Sequence, residues 1–337
     1  MAEKKSTLII AEAGVNHGGD YETAVRMIHS AKQAGADYIK FQTFKAENLV
    51  CRSASRAEYQ RRNCGGEENQ FEMLKRLELD FDSFISLKDE CAGAGIGFLS
   101  SPFDLESIDF LSNLGMDFWK IPSGEVTNLP YLERIASKGG RVIMSTGMCS
   151  IDEVKDAIHV LTCNGIPRND IALLHCNTQY PTPVEDVNLR AMETLRKLGC
   201  GMTGFSDHTV GTAIPVAAVA LGAEIIEKHF TLDKNAAGPD HIASADPAEL
   251  AAMVRAIRDV ESAIGSPLKH VTESESGNVA VARKSIVASR FIGKGETLSE
   301  ENLTVKRPGN GLSPMLWHRV IGTKAVRDFN KDDLITV

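Results

Sequence analysis

The sequence of 337 residues holds no run approaching the ~20 apolar residues of a membrane helix, so no membrane-spanning role is expected. It has no Cys-x-x-Cys. Its cysteines, at 51, 64, 91, 149, 163, 176 and 200, are odd in number and scattered, which argues against a zinc knuckle or a disulfide framework and fits a reducing compartment. Cys176 falls within an apolar strand pattern and reads as a packing residue. No Gly-x-Gly-x-x-Gly follows an early predicted strand, which removes the phosphate loop of a dinucleotide-binding sheet. The basic residues of the C-terminal piece are dispersed and lack aromatic stacking partners, in a chain that is acidic as a whole, which argues against a nucleic-acid surface. The start, Met1-Ala2-Glu3-Lys4-Lys5, runs into Leu8-Ile9-Ile10 and then Glu12. An acidic residue so early spoils the apolar core of a signal peptide, and the chain reads as cytoplasmic.

Charge is unevenly spread. The net charge is −8, but residues 282–337 carry ten Lys/Arg and six Asp/Glu, hence +4, and residues 1–281 carry 27 and 39, hence −12. A basic module docking on an acidic one is the simplest use of this asymmetry, and no nucleic-acid partner is expected.

Up to about residue 265, short β-rich runs alternate with amphipathic helical patterns. Eight strands are predicted, at 8–12, 38–42, 97–101, 118–121, 142–145, 171–175, 202–206 and 223–228. Helical stretches stop at Gly35, Gly95, Gly115, Gly140, Gly165 and Gly222. Eight such units in this length predict an α/β fold, a (β/α)8 TIM barrel over residues 1–265. The long interval 43–96 carries Arg52, Arg56, Arg61, Arg62 and Gly65-Gly66, an insertion on the face where barrels do chemistry. Residues 266–281 are polar and read as a linker. Residues 282–337 have short strand patterns and turns, and are marginal in size for a domain folding alone.

Every predicted barrel strand ends in polar groups: Glu12, Lys40 with Gln42, Ser101, Lys120 with Ser123 and Glu125, Ser145, His175 with Thr178 and Tyr180, Ser206 with His208, and Lys228 with His229. Inner layers of a barrel are apolar, so these ends converge on its C-terminal mouth. Lys40 and Lys120 with the serines would line a cationic, hydroxyl-rich cup suited to phosphate plus carboxylate. The alternative is that the lysines pair structurally with Glu12 and Glu125. His208 and His229 follow adjacent strands and could share one divalent ion, leaving positions open for substrate and water. The His-x-His pair of barrel amidohydrolases is absent, which weakens a hydrolase reading. A Schiff-base aldolase using Lys120 or Lys228 is a rival reading.

Motifs along nearly the whole chain carry a resemblance. They include Ala11-Glu12-Ala13-Gly14-Val15-Asn16-His17-Gly18-Gly19, Lys40-Phe41-Gln42-Thr43, Lys120-Ile121-Pro122-Ser123-Gly124-Glu125, Ser206-Asp207-His208-Thr209, Glu227-Lys228-His229-Phe230-Thr231, Gly238-Pro239-Asp240 and Lys306-Arg307-Pro308-Gly309-Asn310-Gly311. The chain resembles the sialic acid synthase family, which condenses phosphoenolpyruvate with an amino-sugar aldehyde. The resemblance implies a small C-terminal antifreeze-like (SAF, β-clip) domain over 282–337 and a domain-swapped homodimer. It implies a divalent cofactor, Mn²⁺ or Mg²⁺, on His208 and His229. It also implies phosphoenolpyruvate contacts from Lys40, Ser101, Lys120, Ser123, Ser145 and Ser206, and contacts to the N-acylated amino sugar from Gln42, Tyr180, Asp240 and Arg307, the last reaching a neighbour's barrel. Glu12 and Glu125 match acids near the reacting centre. Thr178 stands where N-acetylneuraminate synthases have an asparagine. Residues 125–132, Leu77-Glu78-Leu79-Asp80 and residues 227–234 resemble instead the legionaminic acid branch, whose acceptor is 2,4-diacetamido-2,4,6-trideoxymannose; N-acetylmannosamine is the alternative acceptor.

Overall fold

The computed structural model describes residues 6–64 and 68–337; the N-terminal five residues and Gly65-Gly66 of the insertion lie outside them. The chain divides into two compact units, Met1–Gly265 and Ser266–Val337. The first is a (β/α)8 barrel. Its parallel strands are β1 (Leu8–Gly14), β2 (Tyr38–Thr43), β3 (Gly97–Pro102), β4 (Phe118–Ile121), β5 (Arg141–Ser145), β6 (Ile171–His175), β7 (Met202–Asp207) and β8 (Ile225–His229). They run in the order β3-β2-β1-β8-β7-β6-β5-β4, and β1 pairs with both β2 and β8, which makes the first and last barrel strands neighbours.

Strand side chains alternate in direction, so one strand supplies two kinds of layer. Inward from the barrel wall, Ile10, Leu99, Phe118, Ile143, Leu174 and Ile225 form a buried apolar cluster. Each such side chain stabilises the barrel by about 1.5–3 kcal/mol relative to exposure. Two residues further along the same strands come Glu12, Ser101, Lys120, Ser145, Cys176 and Glu227, which line a cavity at the strands' C-terminal ends. The period of two thus turns an apolar plug into the floor of a polar cup. The outward-facing side chains pack under the helices in the larger core, for example Ile9, Ile39, Val142 and Ile226 against Met27, Ile158 and Leu250.

Several helices are capped as their sequences require. Asp20 caps Tyr21–Ala34 through the Thr23 amide, and Gly35 ends it at φ 91°, a left-handed conformation that a side chain would strain. The segment between β2 and β3 forms the helices Ala46–Leu49, Glu58–Cys64, Gln70–Leu77 and Phe81–Ala94.

In the second unit β9 (Ser285–Ala288) pairs antiparallel with β10 (Leu303–Lys306). Ile286, Ile292, Leu298, Phe329 and Ile335 form its core. The stretch expected as a plain linker contains a helix, Glu273–Ala282, opened by a Thr272/Glu275 capping box. Its polar composition conceals it because the helix buries none of its side chains. No helix among the described residues is long and apolar enough to cross a membrane.

Candidate active site

A cavity of about 520 Å³ opens at the barrel mouth. Glu12, Lys40, Gln42, Ser101, Lys120, Ser123, Ser145, Thr178, Tyr180, Ser206, His208, His229 and Asp240, all singled out in the sequence, line it together. Glu125 does not. It sits in the turn after β4 and accepts a hydrogen bond from Asn128 Nδ2 at 2.6 Å, while burial raises its pKa. Arg307 belongs to the second unit, is exposed, and donates from Nε to the Ala282 carbonyl at 3.0 Å.

The cup is not net cationic as the sequence suggested. Two buried carboxylates face its two ammoniums. Lys40 Nζ lies 2.6 Å from Glu12 Oε2 and 3.8 Å from Glu227 Oε2, and Lys120 Nζ lies 3.6 Å from Glu227 Oε1. Glu227, not Glu125, is therefore the second acid of the mouth. Position at the end of β8 does not reveal it in the sequence, because the period of two aims Glu227 and His229 inward and Lys228, between them, outward. Lys40 donates to Ser101 Oγ at 3.1 Å, Lys120 to Ser145 Oγ at 2.8 Å, and Ser206 Oγ to Glu227 at 2.9 Å. Gln42 Nε2 donates to Glu12 Oε1 at 3.2 Å. Each lysine thus holds a serine hydroxyl whose remaining capacity faces the cavity.

Burial sets the ionisation of this cluster. It lowers the Lys120 pKa, and the neighbouring Lys40 charge adds to that, against the pull of Glu227. Burial works the same way on Lys40, but the charges of Glu12 and Glu227 outweigh it and leave that ammonium raised. Of the two acids, burial and Glu227 push Glu12 up, whereas Lys120 and Lys40 overcome burial to hold Glu227 below the ordinary carboxylate range. Glu12 is the carboxyl disposed to take a proton.

Ser123 Oγ contacts Cys176 Sγ at 3.3 Å and accepts the Gly147 N–H at 2.9 Å. Gly147 must lack a side chain: a Cβ there would come within 2.7 Å of Thr178 Cγ2 and 2.9 Å of Cys176 Sγ. Cys176 is buried as a packing residue should be, yet it also lines the cavity.

His208 and His229 stand with ring centroids 5.2 Å apart, and Tyr180 lies 4.1 Å from His208 and 5.4 Å from His229. Burial holds His208 down to about 4 and His229 well below its ordinary value, so both imidazoles are neutral donors of a lone pair. Nδ1 of His208 donates to the Asn177 carbonyl, which leaves Nε2 unprotonated. Nδ1 of His229 is buried without a hydrogen-bond partner, 4.0 Å from Asp240 Oδ2. Burial raises the Asp240 carboxyl to about 7. Two neutral imidazoles on one cavity wall, one with an orphaned nitrogen, fit a divalent ion. Among the described residues no group of three or more His, Cys, Asp and Glu converges to hold one, so this pair is what they offer such an ion.

Lys228 is removed from the aldolase reading. It lies outside the cavity lining, buried, with Nζ 2.7 Å from Asp207 Oδ2 and a second bond to the Thr209 carbonyl. Breaking one half of such a pair costs about 3–5 kcal/mol, so its role is structural.

The chain is similar to known proteins over nearly its whole length. Residues 27–269 match the NeuB family and residues 283–336 the SAF domain. The chain is 49% identical over 331 residues to N,N'-diacetyllegionaminic acid synthase of Campylobacter jejuni, covering 98% of this chain and 99% of that protein. It is 46% identical to the protein of the same name from Legionella pneumophila, covering 94% and 89%. The crystal structure of an N-acetylneuraminic acid (sialic acid) synthetase from Leptospira borgpetersenii superposes with a TM-score of 0.71 at 34% identity, over 82% of this chain and 91% of that one. Matched through the barrel and the SAF unit alike, the chain belongs to the NeuB family.

Proposed function

We propose that the protein condenses phosphoenolpyruvate with 2,4-diacetamido-2,4,6-trideoxymannose and water, giving N,N'-diacetyllegionaminate and phosphate. The observation that carries this is the cup itself: two buried lysines, each holding a serine, beside two neutral histidines in one cavity. The names of the two relatives at 49% and 46% identity supply the acceptor.

Lys40 and Lys120, with Ser101, Ser123, Ser145 and Ser206, hold the phosphate and carboxylate of phosphoenolpyruvate. The anion takes over the role that Glu12 and Glu227 play toward the lysines, so substrate binding replaces internal ion pairs rather than filling an unscreened positive cup. Gln42, Thr178, Tyr180 and Asp240 orient the open-chain sugar. A Mn²⁺ or Mg²⁺ ion held by His208 and His229 would supply Lewis acidity toward the aldehyde oxygen. Holding the enol carbon against the aldehyde carbon makes the encounter effectively unimolecular. The carbon–carbon bond forms, water adds to the oxocarbenium carbon, and phosphate leaves the tetrahedral intermediate by carbon–oxygen cleavage. Glu12, raised by burial, takes the proton that the water gives up, and the former aldehyde oxygen gains one, so protons balance. Arg307 completes the sugar site from a partner chain in a domain-swapped homodimer; the family resemblance and its exposed guanidinium support this placement.

The test is phosphate release with each of two sugars. kcat/KM for the trideoxy sugar is expected to exceed that for N-acetylmannosamine by roughly tenfold or more. A preference for N-acetylmannosamine would make the protein an N-acetylneuraminate synthase instead.

A further inference from the structure

Of the residues that point to the acceptor in the sequence, Thr178 lines the cavity and 126–132 do not. Val126 and Leu132 are buried in the barrel's outer core, and Leu129 is exposed. What lines the cavity beyond the polar cup and the histidine pair comes mostly from the insertion between β2 and β3. Its helix Gln70–Leu77 presents Gln70, Met73, Leu74 and Leu77 to the cavity, spaced i, i+3, i+4 and i+7 on one face. Leu49 and Val50, at the end of the helix Ala46–Leu49, extend the same wall.

This wall is built to hold its shape. An Asn69/Glu72 capping box fixes the start of the helix. Lys75 and Arg76, on its other side, form ion pairs with Glu47 and Glu78 and with Glu68. Met73 and Leu77 pack with Val15 and Phe44 in a small core of their own. Leu74 and Val50 are only half-buried, so their remaining apolar surface belongs to the cavity. The insertion is tied over the mouth where Asn63 Nδ2 donates to the Pro239 carbonyl at 2.7 Å, next to Asp240.

We infer that this apolar helix face is the acceptor-reading surface, receiving the 6-methyl end of a 6-deoxy amino sugar and disfavouring a sugar with a hydroxyl there. The inference rests on the synthase reading above. With phosphoenolpyruvate on the lysines and the aldehyde end at the histidines, the far end of the sugar meets the Leu49, Val50 and Leu74 side chains. A methyl loses water favourably against them. A hydroxyl buried there finds no donor or acceptor among these three side chains. Gln70, at the head of the same face, offers an amide complementary to an acetamido group.

The experiment measures kcat/KM for 2,4-diacetamido-2,4,6-trideoxymannose and for N-acetylmannosamine in the full-length protein, its L74N variant and its V50T variant. L74N is expected to lower the ratio of the two by about tenfold and V50T by about threefold, within the range of small apolar discriminations. Melting temperature and KM for phosphoenolpyruvate, which a general structural disturbance would move, are expected to stay near wild type. If the wild type releases phosphate and both folded variants keep its ratio, the wall does not read the acceptor and the inference is overturned. If the wild type releases no phosphate with either sugar, the synthase reading falls and the inference with it.

Discussion

Replacing Lys120 by alanine is expected to lower kcat/KM for phosphoenolpyruvate by a hundredfold or more, with a much smaller change in KM for the sugar. Lys120 is buried at the end of β4, donates to Ser145 at 2.8 Å, and shares Glu227 with Lys40. Removing it leaves the cup with one ammonium against two carboxylates before any substrate arrives. An incoming phosphate or carboxylate then meets net negative charge in a place shielded from water. Truncating one member of a buried charge pair costs about 3 kcal/mol, which is the hundredfold loss. The fold should survive, because Glu227 keeps Ser206 as a donor and Lys40 nearby. Steady-state phosphate release at varied phosphoenolpyruvate decides it. A value within about threefold of wild type would remove Lys120 from the cup.

His208→Ala is expected to abolish tight binding of a divalent ion and to lower activity by at least about a hundredfold without unfolding the protein. The imidazole is held by the Asn177 carbonyl and lies beside Tyr180, so its loss takes one of the two imidazoles that this cavity wall offers an ion. Metal analysis of the dialysed variant reads the binding directly, apart from activity. Full activity of the chelator-dialysed wild type would refute the metal's role. The same variant tests Arg307. His208→Ala and Arg307→Ala chains, each nearly inactive, should regain activity when mixed if Arg307 serves a partner's barrel, because one site of the heterodimer is then built from two intact halves. Heterodimers that form and stay inactive would show that Arg307 does not act in trans.

Much of the barrel was legible because its determinants are local. Helical stretches closed by Gly35, Gly95 and Gly115 and the short β-rich runs between them locate the strands within a residue or two of where they form, and most of the polar strand ends meet in one cavity, with Glu125, His175 and Lys228 outside its lining. What was not legible depends on direction and on distance. Glu227 differs from Lys228 only in which way the strand aims it, and Glu125 is turned aside by the short helical turn after β4. The helix Gln70–Leu77 sits in an insertion whose sequence shows an apolar face but not what that face opens on. The helix Glu273–Ala282 buries no side chain and so leaves no apolar stripe to find. The charge balance of the cup was misjudged for the same reason as Glu227: once that carboxylate is turned inward, two acids face two lysines.

In the proposed reaction phosphoenolpyruvate is held as an anion in this cup while its enol carbon attacks the sugar and water replaces its phosphate. Phosphoenolpyruvate carrying heavy oxygen at the bridging position tests this most directly, with mass analysis of both products after a single turnover. The label is expected to leave with inorganic phosphate, because the carbon–oxygen bond breaks. Label retained in the sugar acid, with unlabelled phosphate, would contradict it.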